Sequence, residues 1–114
     1  MATLRIGAAR EDITPDWALD LAGFAARTEP SRGVSQPLHV RAAVFEADGA
    51  RAVVVSAELL WWPPQEVASL RQAVAAIAGA PEDAILFSAS HTHSGPQTST
   101  RAASGIGVAD PRYL

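Results

Sequence analysis

The stretch LHVRAAVFEADGARAVVVSAEL, residues 38–59, decides the fold because it contains two strand patterns joined by a strong turn signal. In residues 38–46 apolar side chains occupy every second position, which is typical of a strand buried on one face. Asp48 and Gly49 favour a tight reversal. The following strand, at 51–59, is apolar on both faces through valines 53–55. This pattern predicts a β-hairpin whose second strand is central in a sheet.

A helix and another strand follow the hairpin. Pro63 and Pro64 suit a helix entry, and Gly79 is a favoured terminator. Between them, apolar residues at spacings of three and four predict one buried helix face: Val67, Leu70, Val74 and Ile77. Residues 84–88, AILFS, then form a compact apolar strand. The order predicts a right-handed βαβ unit with parallel strands at 52–58 and 84–88.

The sequence thus predicts an α/β fold with a mixed sheet, in which a β-hairpin precedes a right-handed βαβ unit. A short further strand is expected at residues 3–9, followed by a loop-dominated excursion at 16–36. At 114 residues the chain is expected to form a single domain, 1–114. Residues 98–114 show neither helical nor strand periodicity and are expected to be an irregular C-terminal segment.

Composition and charge restrict the classes of partner. The net charge is −3, and the nine basic residues, all arginine, form no basic run, so we expect no nucleic-acid partner. The absence of cysteine excludes thiol nucleophiles and cysteine-bound zinc. No stretch is long and apolar enough to suggest a transmembrane segment. No signal peptide is apparent, so we expect a cytoplasmic protein by default, or a secreted one if a leader has been removed.

Two of the three histidines lie in SASHTHSGPQ, residues 88–97, directly after the last predicted strand. In open α/β sheets, ligands bind beyond the carboxyl ends of parallel strands. An extended His-x-His segment directs both rings to one side, and imidazole is a good zinc ligand. His91 and His93 are therefore candidate metal ligands. The alternative is an exposed, hydrogen-bonded polar turn.

Other polar residues admit structural explanations beside functional ones. Glu58 follows a buried strand and needs a metal, an arginine such as Arg41, or a backbone donor. His39 lies in an alternating strand, where packing is favoured over ligation. Asp12 precedes Ile-Thr-Pro and is most simply an Asx-turn anchor.

Several segments together resemble the N-terminal part of the neutral/alkaline (non-lysosomal) ceramidase family: REDITPDW, LAGFAART, PLHVRAAVFEADGARAVVVSAELL and ILFSASHTHSGP. The resemblance runs from about residue 5 to residue 97. It implies that the chain is the N-terminal portion of a larger α/β hydrolase domain. It further implies zinc-dependent hydrolysis of the N-acyl bond of ceramide to a fatty acid and a sphingoid base.

Carried over to this chain, the resemblance implies that His91 is a zinc ligand and that His93 hydrogen-bonds the developing oxyanion. It also implies that Gly23 offers a backbone N–H to the substrate. The family's remaining ligands, a histidine, a glutamate and a tyrosine, come from regions beyond residue 114. This chain also has Glu58 where the family commonly has aspartate, and Phe24 where tyrosine is usual.

The expected cofactor is Zn²⁺, and the expected substrate is an amide or lipid-like small molecule. A missing C-terminal remainder or a homo-oligomer is a possible partner. Two other interpretations stay open. One is a non-catalytic fragment or interaction domain that retains the fold, and the other is a different metal-dependent amidohydrolase.

Overall fold

The computed structural model describes residues 3–101 and 107–114. In chain order the elements are β1 (Arg5–Asp12), β2 (His39–Ala47), β3 (Ala50–Ala57), α1 (Val67–Ala78), a short 3-10 helix (Glu82–Ala84) and β4 (Ile85–Ala89). The four strands form one sheet in the order β1-β2-β3-β4. The first two pairings are antiparallel and the third is parallel. The predicted α/β fold with a mixed sheet is confirmed.

The predicted hairpin is formed by β2 and β3, with Val44 opposite Val53. Its turn contains Asp48 at φ 50° and Gly49 at φ 80°. Two successive positive φ angles characterise the type I′ turn, whose twist matches that of the flanking strands. The Asp-Gly pair therefore sets the register of the hairpin.

The predicted βαβ unit consists of β3, α1 and β4. Val53 pairs with Ile85 and Ala57 with Ala89, so β3 lies between β2 and β4, as expected for the most apolar strand. The helix ends at Gly79, which adopts the left-handed conformation at φ 63°. The Ala80 N–H donates to the Ala75 carbonyl at 3.2 Å, which satisfies one of the carbonyls left open at the helix end.

The helix covers one face of the sheet. Val53, Val55, Ile85 and Ala80 form the buried core, and Val74, Ala75 and Ala78 of α1 are among the residues that pack against it. The expected place of Ile77 on this face is wrong, since its side chain is 87% exposed. Residues 74, 75 and 78 share an arc of about 100° on the helix, and position 77 lies roughly 60° outside that arc.

The other face of the sheet is open in this structure. Leu86 on β4 is 60% exposed and Ile6 on β1 is 59% exposed. All eight residues of β1 are exposed, which fits an edge strand that α1 does not reach. The sheet therefore has one apolar side under the helix and one side without cover among the described residues.

The C-terminal segment packs against the excursion that follows β1. The Trp17 Nε1–H donates to Asp110 Oδ2 at 3.1 Å, and the Tyr113 hydroxyl donates to the Ile13 carbonyl at 2.7 Å. Burial raises the pKa of the Tyr113 phenol to about 12. Within 98–114 the described residues contain turns and bends, and residues 102–106 lie outside the described part. None of the described helices is long and apolar enough to cross a membrane.

Candidate functional site

The chain that leaves β4 runs beside the chain that leaves β3. The Ser90 N–H donates to the Ala57 carbonyl at 3.0 Å, and the Thr92 N–H donates to the Leu59 carbonyl at 3.0 Å. These bonds continue the parallel pairing beyond the strand ends. The histidine segment therefore lies at the carboxyl edge of the parallel pair, where the sequence pattern places it.

A second segment joins this edge from the excursion between β1 and β2. The Ala22 N–H donates to the Gly95 carbonyl at 2.8 Å, and the Ser94 N–H donates to the Ala22 carbonyl at 2.9 Å. Leu21 and Pro96 form an isolated antiparallel bridge in continuation of these bonds. We call the paired segments 20–24 and 90–97 the rim. Backbone hydrogen bonds between residues about 70 positions apart thus build the site.

Gly23 lies directly against the imidazole of His93. A Cβ atom built on Gly23 would stand 2.6 Å from His93 Cγ and 2.7 Å from its Nδ1, distances that side-chain carbon atoms do not adopt. Gly23 also has a φ of 78°, in the left-handed region that favours glycine. Both observations explain why only glycine fits this position. The close approach also places Gly23 and His93, two of the three predicted site residues, in contact.

The two histidine rings also lie close to each other. Their centroids are 5.2 Å apart with the planes inclined by 60°. The expected extended conformation is wrong, however, because His91 has a φ of 56°. The parallel pairing of residues 90 and 92 with the chain after β3 holds the peptide on both sides of His91 and leaves that residue to make the bend. Both side chains are exposed.

The second contact of the His91 ring defines which nitrogen is available to a ligand. Its Nδ1 lies 3.2 Å from the Leu60 carbonyl oxygen. A carbonyl only accepts, so this contact is a hydrogen bond when Nδ1 carries the proton. In the neutral ring Nε2 then has the free lone pair. A histidine that donates one N–H to a backbone carbonyl is the arrangement that orients metal-binding imidazoles.

Phe24 contacts the His93 ring, and Arg27 contacts both Phe24 and Ser94. The Phe24 ring meets the His93 ring edge to face, at 4.9 Å and 84°. The Arg27 guanidinium lies 5.7 Å from the centre of the Phe24 ring and donates from Nη2 to Ser94 Oγ at 2.6 Å. The departure of Phe24 from the family's usual tyrosine is the one sequence signal at this place. Nothing in the local pattern identifies Arg27.

Glu58 does not form a cluster with His91 and His93. It accepts hydrogen bonds from Arg41 Nη1 at 2.9 Å and from the His39 backbone N–H at 2.7 Å. Its Oε2 also lies 3.4 Å from His39 Nδ1. The Arg41 guanidinium, and secondly the His39 N–H, hold the pKa of the Glu58 carboxyl below its ordinary value. Of the three alternatives for Glu58, the structure shows two, the pairing with Arg41 and a backbone donor, the His39 N–H.

Asp12 forms the Asx turn that the sequence predicts. Asp12 Oδ1 accepts a hydrogen bond from the Thr14 N–H at 2.8 Å, which closes an Asx turn. Hydrogen bonds from Thr14 hold the pKa of the Asp12 carboxyl below its ordinary value. Asp12 therefore shapes the exit from β1.

The rim also borders a cleft of about 440 Å³. Its walls include Thr14, Trp17, Leu21, Val34, His93 and Pro96. His93 therefore lies between the cleft and the loop that carries Gly23. Mixed apolar and polar walls of this kind suit a small organic ligand.

The metal-ligand chemistry of the rim fits zinc in part. His91 offers an oriented imidazole, and His93 lies beside it. Among residues 3–101 and 107–114, however, no three histidine or acidic side chains lie close enough together to hold a metal ion. A catalytic zinc usually has three protein ligands. The described residues therefore supply part of such a site.

Comparisons with known proteins support the predicted resemblance. No family model matches the chain, and no curated protein matches it significantly. Among solved structures, neutral ceramidase from Pseudomonas aeruginosa superposes with a TM-score of 0.74 at 27% sequence identity, over 92% of this chain and 18% of that one. A structure described as "Ceramidase complexed with C2" gives a TM-score of 0.73 at 27% identity, over 89% of this chain and 17% of that one. The resemblance to the neutral ceramidases is confirmed, over a segment that spans less than a fifth of their length.

Proposed function

We propose that this chain provides one part of the active site of a zinc-dependent, ceramidase-like hydrolase of amide bonds. The observation that carries the proposal is the meeting of Gly23, His91 and His93 at the carboxyl edge of a parallel strand pair. The two similar solved structures are ceramidases, which supports an N-acylated sphingoid base as the substrate class.

In this proposal His91 binds zinc through Nε2. The Leu60 carbonyl holds the ring by its Nδ1 atom, which orients the ring and leaves Nε2 as the nitrogen with a free lone pair. A bound zinc ion supplies Lewis acidity that polarises a carbonyl oxygen and makes water a competent nucleophile near neutral pH. The further ligands would come from polypeptide other than these 114 residues, in the same protein or in another chain.

His93 and Gly23 act on the carbonyl oxygen of the amide. When the carbonyl carbon becomes tetrahedral, negative charge develops on its oxygen, and N–H donors that are already oriented stabilise that charge. The His93 ring and the Gly23 backbone are in contact, so donors from both can converge on one oxygen. The cleft beside His93 offers space for one arm of the substrate.

Zinc binding at His91 is testable with the chain itself. We expect a Zn²⁺ titration to shift the ring signals of His91 in NMR spectra at lower metal concentration than those of His39, which lies in the sheet and serves as an internal control. His91→Ala should abolish the first effect and leave the shift of His39 unchanged. Equal sensitivity of His39 and His91 to zinc would contradict the proposed ligand.

The reaction is tested by release of fatty acid from a short-chain N-acylsphingosine, with this chain in a protein or assembly that supplies the further zinc ligands. Loss of an oriented oxyanion donor costs roughly 10²- to 10³-fold in kcat, so His93→Ala should lower kcat by about that factor. The same variant should keep the zinc response of His91, and His39→Ala should retain turnover. This chain alone is expected to bind zinc at His91 without turnover, because it supplies only part of the site. Zinc binding without amide hydrolysis once the further ligands are supplied would instead favour a non-catalytic domain that retains the fold.

A further inference from the structure

We infer that Arg27 is a positioning residue that holds the His93 ring in place through Phe24 and Ser94. The inference deepens the proposed function, because the orientation of His93 matters for catalysis only if His93 contacts the substrate. The contacts that carry it are nonetheless measurable without metal or substrate.

The first step is the contact between Phe24 and His93. The two rings meet edge to face at 4.9 Å, a geometry that aromatic rings favour. Phe24 is 61% exposed, so burial does not hold its ring. Phe24 can limit the rotation of the His93 ring only if another contact limits the rotation of the Phe24 ring itself.

Arg27 provides that contact. Its guanidinium carbon lies 5.7 Å from the centre of the Phe24 ring, within the range of a cation–π interaction. Its backbone N–H donates to the Phe24 carbonyl at 2.8 Å, which closes a turn over the same residue. Arg27 therefore holds Phe24 by both its backbone and its side chain.

The guanidinium also reaches the segment that carries His93. Nη2 donates to Ser94 Oγ at 2.6 Å. Phe24 and Ser94 have φ angles of 55° and 66°, a conformation that costs energy in residues other than glycine. Such conformations persist where surrounding contacts determine them. Arg27 contacts both of these strained residues, one on each segment of the rim.

In the described part of the chain, no acidic side chain pairs with the charge of Arg27. Its Nε is buried and has no hydrogen-bond partner among the described residues. By comparison, Arg32 in the same excursion pairs with Glu29 and has an exposed side chain. Arg27 is thus directed toward the rim, whereas Arg32 is directed to solvent.

The test measures the rotamer of His93 in the metal-free chain by three-bond NMR couplings across χ1, together with the ring-current shift that Phe24 imposes. The wild type should show one rotamer. Arg27→Ala should average the couplings and reduce the ring-current shift by at least half. Arg27→Lys should restore most of both, because an ammonium group can still donate to Ser94 and contact the Phe24 ring. Arg32→Ala is the matched control and should resemble the wild type.

Amide exchange at Ala22 and Ser94 separates positioning from simple support of the rim. We expect these amides to stay protected in Arg27→Ala while the His93 couplings change. Unchanged couplings in Arg27→Ala would overturn the inference. Loss of amide protection in both Arg27→Ala and Arg27→Lys would overturn it as well, because Arg27 would then maintain the fold of the rim. Failure of zinc binding or turnover affects neither measurement, so the proposed function and this inference can fail separately.

Discussion

The helix-covered face of the sheet and the rim are adjacent in this chain, but different forces hold them together. Under α1 the contacts are between apolar side chains, and Val53 and Ile85 are 2% and 5% exposed. At the rim His91, His93 and Ser94 are exposed, and backbone hydrogen bonds bring segments 20–24 and 90–97 together. The sheet therefore depends on side-chain volume, whereas the rim depends on backbone geometry.

This difference fits the distinct tasks of a hydrophobic core and of the site proposed at the rim. A core must exclude water. Apolar side chains of about the right total volume achieve this even when individual shapes differ. A site must present polar groups to a ligand, so those groups cannot be buried to fix their positions. The rim instead uses paired backbone, the close approach of Gly23 to His93 and the edge-to-face contact of Phe24 with the His93 ring.

The largest effect is expected in the sheet. Ile85→Ala removes a buried side chain that pairs across from Val53, and such truncations cost about 2–5 kcal/mol. Leu86→Ala changes the adjacent residue on the open face, where a surface substitution changes stability by about 0.5 kcal/mol or less. Urea unfolding of the two variants measures the difference. A comparable loss in both would show that the open face is also covered in solution.

The second-largest loss of stability is expected at the rim, on substitution of Gly23. Gly23→Ala places a methyl group 2.6 Å from His93 Cγ on a residue with positive φ, and we expect a loss of roughly 1–3 kcal/mol from backbone strain, with the collision in addition. The ring signals of His93 should shift in the same variant, and the amides of Ala22 and Ser94 should lose protection. The sheet amides should keep theirs.

Two other glycines separate strain from collision in this prediction. Gly49 also has a positive φ, but a Cβ there meets no atom within 4 Å. Gly7 has neither a positive φ nor a near neighbour. We expect Gly49→Ala to lose stability without affecting His93, and Gly7→Ala to have little effect on either. If Gly23→Ala leaves the His93 signals in place, the rim does not depend on this contact.

The sheet could be predicted because its causes are local. Alternation in residues 38–46 and the Asp48-Gly49 turn determine the hairpin, and the run of valines 53–55 identifies the central strand. The helix end at Gly79 follows from one residue type. The exposed position of Ile77 does not follow from the sequence, because spacing defines a broad apolar arc and the neighbouring strands decide which part of it is buried.

The rim could be predicted only in part. The position of the histidines after a parallel strand predicts where they lie, and the family resemblance adds Gly23 as a candidate site residue. The left-handed conformation of His91, the Leu60 carbonyl behind its ring and the contact of Arg27 with Ser94 depend on pairings between distant segments. No period or spacing in the sequence encodes such pairings.

The smallest effect is expected at Glu58, where the sheet meets the rim. Its pKa lies below the ordinary value because Arg41 and the His39 N–H bind the carboxylate. The folded state therefore favours the ionised form, and the stabilisation is complete above the unfolded pKa of about 4.3 and is lost as pH falls through the lower folded pKa.

Glu58→Gln should make the decline of the urea midpoint between about pH 6 and pH 3 shallower. Asp12, Glu46 and Asp110 also have lowered pKa values, so part of the decline should remain. Arg41→Gln should reproduce the shallower slope, since it removes the main cause of the shift. An unchanged slope in both variants would show that the Glu58–Arg41 ion pair does not stabilise the fold. Backbone pairing alone would then join the sheet to the rim.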